Sequence, residues 1–97
     1  MSMYMLLCNF TDQAIRSMKE TPNRRAAAQE KAKKLGVEVK AAYLAMGVYD
    51  LILQVDAKDE ETLAKYVLSL AGMGNLRTTT LKLFDQAAYD RIVGGLV

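Results

Sequence analysis

Apolar and polar positions along this chain follow two periods, and the switches between them mark its elements. Met3 to Phe10 is apolar on both alternating sets except at Asn9, the pattern of a strand covered on both faces. Thr11-Asp12 reads as a helix cap, with Ile15 and Met18 as the apolar edge of the turns that follow. Pro22 interrupts or restarts that helix. From Arg24 to Leu35 the chain is rich in alanine, lysine and glutamate, all strong helix formers, and Gly36 ends the run. Ala28, Ala32 and Leu35 share one face, whose small side chains predict a close approach to a sheet.

Val37 to Ala45 and Tyr49 to Val55 are too short to be anything but strands, and Gly47-Val48 between them predicts a two-residue hairpin turn. Glycine at the first turn position takes φ > 0 without a steric cost. Asp59-Glu60-Glu61 then places acids in the first turn of a helix, where the macrodipole favours them. Leu63, Tyr66, Val67, Leu70 and Ala71 form its apolar stripe, and Gly72 with Gly74 closes it. Asn75 to Phe84 is a strand with a β-branched centre at Thr78-Thr79-Thr80. Asp85 opens a last helix through Val93, which Gly94-Gly95 stops.

The order β-α-β-β-α-β plus a C-terminal helix predicts an α+β, ferredoxin-like fold with a four-stranded antiparallel sheet. Right-handed crossovers put both long helices on one face of that sheet. A turn at Gly47-Val48 pairs Met46 with Tyr49, Ala45 with Asp50, Leu44 with Leu51, Tyr43 with Ile52 and Ala41 with Gln54. Cross-strand partners share a face. Leu44, Met46, Tyr49, Leu51, Leu53 and Val55 therefore belong under the helices. The other face carries Ala41, Tyr43, Ala45, Asp50, Ile52 and Gln54, too mixed for water or for a core. Such a face predicts a homodimer whose two open sheets enclose a partly wet cavity.

Composition bounds the chemistry. Ninety-seven residues form one domain, taken as 1–97, with 52% hydrophobic residues and a net charge of +2. With no histidine and a single cysteine, Cys8, neither a Cys/His zinc site nor a Ser-His-Asp or Cys-His pair can be built. No metal or cofactor is implied. The lone thiol suits a reducing compartment, and no apolar run approaches the ~20 residues that span a bilayer, so a cytoplasmic location without membrane contact is expected. Residues 1–49 carry eight Lys/Arg against four Asp/Glu. That excess is either a nucleic-acid footprint or a solvated helix face, and the absence of interleaved aromatics favours the second, against direct nucleic-acid binding.

Candidate chemistry gathers at the hairpin. Tyr49 and Asp50 offer a hydroxyl and a carboxylate at a pocket rim. Against this stands a packing role for Tyr49, and for Asp50 the capping of nearby amides or an ion pair. Asn9, Tyr43, Gln54 and Arg77 would add polar groups to the cavity, and a buried Arg77 would require an anion. Cys8, in mid-strand, reads as a small core residue and not as a nucleophile.

Three segments also carry a resemblance. Leu7-Cys8-Asn9-Phe10-Thr11-Asp12-Gln13, the hairpin Met46-Gly47-Val48-Tyr49-Asp50, and Gly72-Met73-Gly74-Asn75-Leu76-Arg77-Thr78-Thr79-Thr80-Leu81 together resemble the GYD-domain family. The hairpin and the Leu-Ile-Leu after it are also similar to the ligand-binding domain of Lrp/AsnC-type transcription regulators. Both likenesses imply a ferredoxin-like subunit pairing into a dimeric α/β barrel. The second implies an amino-acid-like ligand close to Gly47 and Asp50. No helix-turn-helix is found in this sequence, so direct operator recognition is not expected.

The expected function is a small-molecule-binding module for an amino acid or similar small acid, homodimeric or higher, with a regulatory role. The alternatives are a cofactor-free dimeric α/β-barrel enzyme, monooxygenase- or dehydratase-like, and a protein-interaction or oligomerisation domain. Without histidine, catalysis would fall to Asp50, Tyr49 or Arg77, and binding is favoured over an enzyme. The candidate ligand-binding set is Asp50, Gly47, Tyr49, Tyr43, Gln54, Asn9 and Arg77.

Overall fold

The computed structural model describes residues 1–97. Strand β1 (Ser2–Phe10) leads into helix α1 (Asp12–Arg16), a 3-10 turn (Met18–Glu20) and helix α2 (Thr21–Leu35). Strands β2 (Glu38–Leu44) and β3 (Leu51–Ala57), helix α3 (Glu60–Gly72), strand β4 (Leu76–Leu83) and helix α4 (Gln86–Gly94) follow. The four strands form one sheet in the order β2-β3-β1-β4, and every neighbouring pair is antiparallel. Each crossover skips one strand, which is the ferredoxin-like arrangement expected from the element order.

Local chemistry explains most of the boundaries. The Thr11 hydroxyl accepts the Ala14 N–H and donates to the Gly74 carbonyl at 2.6 Å, so it caps α1 and ties it to the end of α3. Ser17 leaves helical geometry at φ −133°, which ends α1 after five residues. Because of that break, Ala14 is the residue that α1 buries. Ile15 and Met18, expected to form the apolar edge, are exposed. Pro22 restarts the chain as a helix from within its first turn, where a missing N–H costs nothing. Gly36 ends α2 at φ +73°, a left-handed cap that favours glycine. Asp59 and Asp85 cap α3 and α4 by accepting the Thr62 and Ala88 amides, each at 2.8 Å.

Strands β1 and β3 lie inside the sheet and supply its core. Tyr4, Leu6 and Cys8 from β1 and Leu53, Val55 and Ala57 from β3 pack with Ala32 of α2 and Leu63, Tyr66 and Leu70 of α3. Each large aliphatic side chain buried here contributes about 1.5–3 kcal/mol. Val37, just after the Gly36 cap, completes the cluster.

The central register of the hairpin is the expected one, pairing Leu44 with Leu51, Tyr43 with Ile52 and Ala41 with Gln54. Its tip is different. Ladder pairing stops at Leu44–Leu51, a last Ala45 N–H bonds to the Asp50 carbonyl at 2.8 Å, and Met46 to Tyr49 form an open loop. The physical reason is competition from β1. The Asn9 side-chain amide donates to the Val48 carbonyl at 2.7 Å, and the Asp50 N–H donates to the Cys8 carbonyl at 2.9 Å. Both bonds draw the loop over the end of β1 and away from a two-residue turn. Gly47 does take a positive φ, of +132°.

A second departure lies at Lys40. A β-bulge between Val39 and Ala41 puts Val39 opposite Val55, on the same face as Ala42 and Leu44. The helices do not reach over this edge. Leu44 is 75% exposed and Met46 100%, although alternation places both under the helices, whereas Leu53 and Val55 are buried as expected.

Helix α4 packs against none of the core elements, and all its residues except Ala88 are exposed. The Cα radius of gyration is 14.8 Å, against about 12.5 Å for a compact chain of this length. The accessible surface is 6733 Å², where a monomer of this mass shows about 5,500 Å².

Candidate functional site

The face opposite the helices carries four rows of side chains, and the polar ones collect at one end. In the pairing of β1 with β4, Asn9 lies directly opposite Arg77. Asp50 sits beside Asn9 on the other side of β1. Its N–H donates to the Cys8 carbonyl, and its Oδ2 accepts the Phe10 N–H at 2.9 Å. Asn9 and Arg77 therefore occupy one row, with the Gly47 loop held near it by the Asn9–Val48 bond and the Asp50 carboxylate turned to the Phe10 N–H at its end.

The remaining candidates lie further off. Tyr43 is paired with Ile52, one row inward, and is 62% exposed. Gln54 pairs with Met5 and Ala41. It stands four residues along β3 from Asp50, about 13 Å away. Tyr49 is half-buried in the loop. Between these polar groups the face is apolar, built from Met3, Met5 and Leu7 of β1, Ile52 of β3, and Leu81 and Leu83 of β4.

Electrostatics divides this row from the far end of the face. Arg77 forms no ion pair, since both of those present belong to Lys40, at 2.8 Å from Glu38 and 3.9 Å from Asp56. Glu38 and Asp56 are direct cross-strand partners, and like charges so placed repel. The bulged Lys40 lies between them. Its hydrogen bond holds the Glu38 carboxyl below its ordinary range, and Glu38 in turn raises the Lys40 ammonium. Asp56 Oδ1 is buried without a hydrogen-bond partner. This cluster is not legible in the sequence, because only the bulge brings Lys40 to the two acids.

On the helix side, burial pushes the Cys8 thiol up to about 11. A thiol held that far toward its protonated form is a poor nucleophile. Burial also raises the Tyr66 phenol, whose hydroxyl reaches the Ala28 carbonyl at 3.4 Å. Arg24, counted among the basic residues of α2, turns inward. Its guanidinium donates to the Ala14 and Ser17 carbonyls and to Asn75 Oδ1.

The chain matches the GYD domain over residues 4–93. It belongs to the GYD-domain family. A Thermus thermophilus protein named glutamine synthetase and cystathionine beta-lyase binding protein is 34% identical over 88 residues, covering 90% of this chain and 93% of that one. A crystal structure of a Thermus thermophilus protein, 28% identical, superposes with a TM-score of 0.58 over 88% of this GYD domain and 95% of that chain. A feast or famine regulatory protein from M. tuberculosis, solved with L-methionine, superposes with a TM-score of 0.66 at 15% identity. This GYD domain is 89% covered in that comparison and spans 52% of the regulator chain, so the likeness shows the fold of one part of it. No helix of the GYD domain is long and apolar enough to cross a membrane.

Proposed function

We propose that this GYD domain is a non-catalytic, self-associating binding module that pairs through its open sheet face and docks on metabolic enzymes. The observation that carries this reading is the exposed surface. It exceeds that of a monomer of this mass by roughly 1,200 Å², more than the ~800 Å² each partner gives to a standard interface. Part of that excess is α4, which lies off the core, and on the open sheet face Tyr43 and Leu81 are exposed while Met3, Met5, Leu7, Ile52 and Leu83 are half-buried. The relative whose name records binding to glutamine synthetase and cystathionine beta-lyase supports the enzyme partners, since it aligns along nearly its whole length. The test is gel filtration of the purified protein with glutamine synthetase and with cystathionine beta-lyase from the same organism. Co-elution with either is expected, and separate elution from both at micromolar concentration contradicts the docking reading.

A second reading rests on Arg77. Pairing of the open faces would bury this guanidinium, which has no ion-pair partner within the chain, and a buried cation requires an anion. A small amino-acid-like acid enclosed between the sheets would supply it, with Asp50, Asn9 and the Gly47 loop at the amine end and Tyr43, one row inward, beside it. Calorimetry with amino acids tests this reading. Binding that weakens in Arg77→Ala is expected, and no heat with any amino acid contradicts it.

A further inference from the structure

Two unsatisfied apolar surfaces of this chain match each other. The first is a groove of about 380 Å³ on the helix side of the sheet, at the β2 edge. Its mouth is formed by Val39, Ala42 and Leu44, which the helices leave uncovered, and Met18 closes its other side. Arg24 and Arg25 line it and no acid does. The second surface is the stripe on α4. Tyr89, Ile92 and Val93, continued by Leu96, recur at i, i+3, i+4 and i+7, and each is 48–72% exposed.

An isolated helix shorter than ~12–15 residues is marginal in water. Helix α4 has nine residues, a capping Asp85 and no buried side chain, with Ala88 alone half-buried, so its apolar stripe is left without a cover in its own chain. It also carries Asp90 beside the stripe, an acid where the groove offers Arg25.

In the single chain α4 does not lie in this groove, whose lining includes none of its residues. The groove mouth runs along the edge strand β2 from Val39, in the row of Lys82, to Leu44, in the row of Thr78, whereas α4 departs from the opposite edge strand, β4, after Leu83. Leu44 is separated from Leu83 by about 17 Å along the strands and about 14 Å across them. Phe84 and Asp85, the only residues between β4 and α4, let Gln86 lie at most about 10 Å from Leu83, short of the Leu44 end of the groove. We infer that α4 of one copy docks in the β2-edge groove of a second copy, so that each subunit completes the helix layer of its partner. The inference rests on the self-association proposed above and adds the element that is exchanged.

The test uses full-length chains with two different tags, co-expressed, one carrying Leu44→Cys and the other Ile92→Cys, and treated with a short bis-maleimide. The native Cys8 is buried and protonated and does not interfere. A cross-link between the two tagged chains, absent when both carry the same substitution, is expected. A cross-link within single chains of the Leu44→Cys/Ile92→Cys double variant overturns the exchange, as does no cross-link while the untreated protein runs as a dimer. A wild-type protein that runs as a monomer overturns the self-association reading and the exchange together, and gel filtration separates that outcome from the others. As a second readout, Ile92→Asp is expected to lower the melting temperature and weaken the dimer. An unchanged melting temperature means that Ile92 stays in water, and it overturns the inference.

Discussion

The Asp50 carboxylate accepts the backbone N–H of Phe10 at 2.9 Å, joining the entrance of β3 to the exit of β1. The bond is part-buried and its acceptor is charged, so Asp50→Ala should lower stability by about 1.5–3 kcal/mol. Asp50→Asn keeps an oxygen that can accept and should lose less. Urea denaturation of the three proteins checks the order.

Gly47, in the loop beside Asp50, has φ +132° and open space around the position of an added Cβ. Its requirement is therefore conformational and not steric. Gly47→Ala should destabilise by about 1 kcal/mol or more through backbone strain, with no large rearrangement of the core. The measurement is a denaturation midpoint with an unchanged denaturant slope.

Cys8 gives the fold a pH dependence on the alkaline side. Its folded value, about 11, lies above the ordinary 9.0. The protonated thiol is thus favoured in the folded state, and its contribution is fully present below pH ~9 and lost as pH rises through the folded value. Tyr66, also raised by burial, acts in the same direction. Stability should therefore fall from about pH 9 upward, and Cys8→Ala should flatten that slope. Below pH 8 the native thiol should resist a thiol reagent that labels the unfolded chain at once.

Leu70 is 2% exposed and packs with Tyr66 and the β1 side chains. Leu70→Ala should cost about 2–5 kcal/mol, whereas Leu68→Ala, on the solvent side of the same helix, should change stability by less than about 0.5 kcal/mol. Thermal melts of both variants test which face of α3 meets the sheet.

The sequence made the sheet legible wherever a single local rule decides. Alternation and one turn position set the β2–β3 pairs from Ala41–Gln54 to Leu44–Leu51, because register has period two and an apolar face admits no one-residue slip. The cap at Thr11, the helix opening at Asp85 and the stop at Gly36 are local chemistry of the same kind, while Asp59, expected in the first turn of α3, is its N-cap. The misses involve long-range competition. The loop at Met46 to Tyr49 is shaped by Asn9 and the Cys8 carbonyl, about forty residues earlier. The bulge at Lys40 answers to Glu38 and Asp56, which become neighbours only through the pairing of β2 with β3. Among the candidate residues, Asn9 and Arg77 meet in one row through the β1–β4 register, which no local signal encodes.

Pairing through the open face has a simple disruption. Leu7 sits near the middle of that face, between Ile52 and Thr79. A carboxylate there would be buried without a partner in a face-to-face dimer but would lie in water in a monomer. Leu7→Asp should therefore give a folded monomer, with near-native far-ultraviolet circular dichroism and halved mass.

The most direct measurement is sedimentation equilibrium of the unmodified protein across a wide concentration range. A species of twice the 10.8 kDa chain mass, or a higher even multiple, is expected at micromolar concentration. A single 10.8 kDa species at every concentration would contradict the proposal that the open sheet face is an interface between copies of this chain.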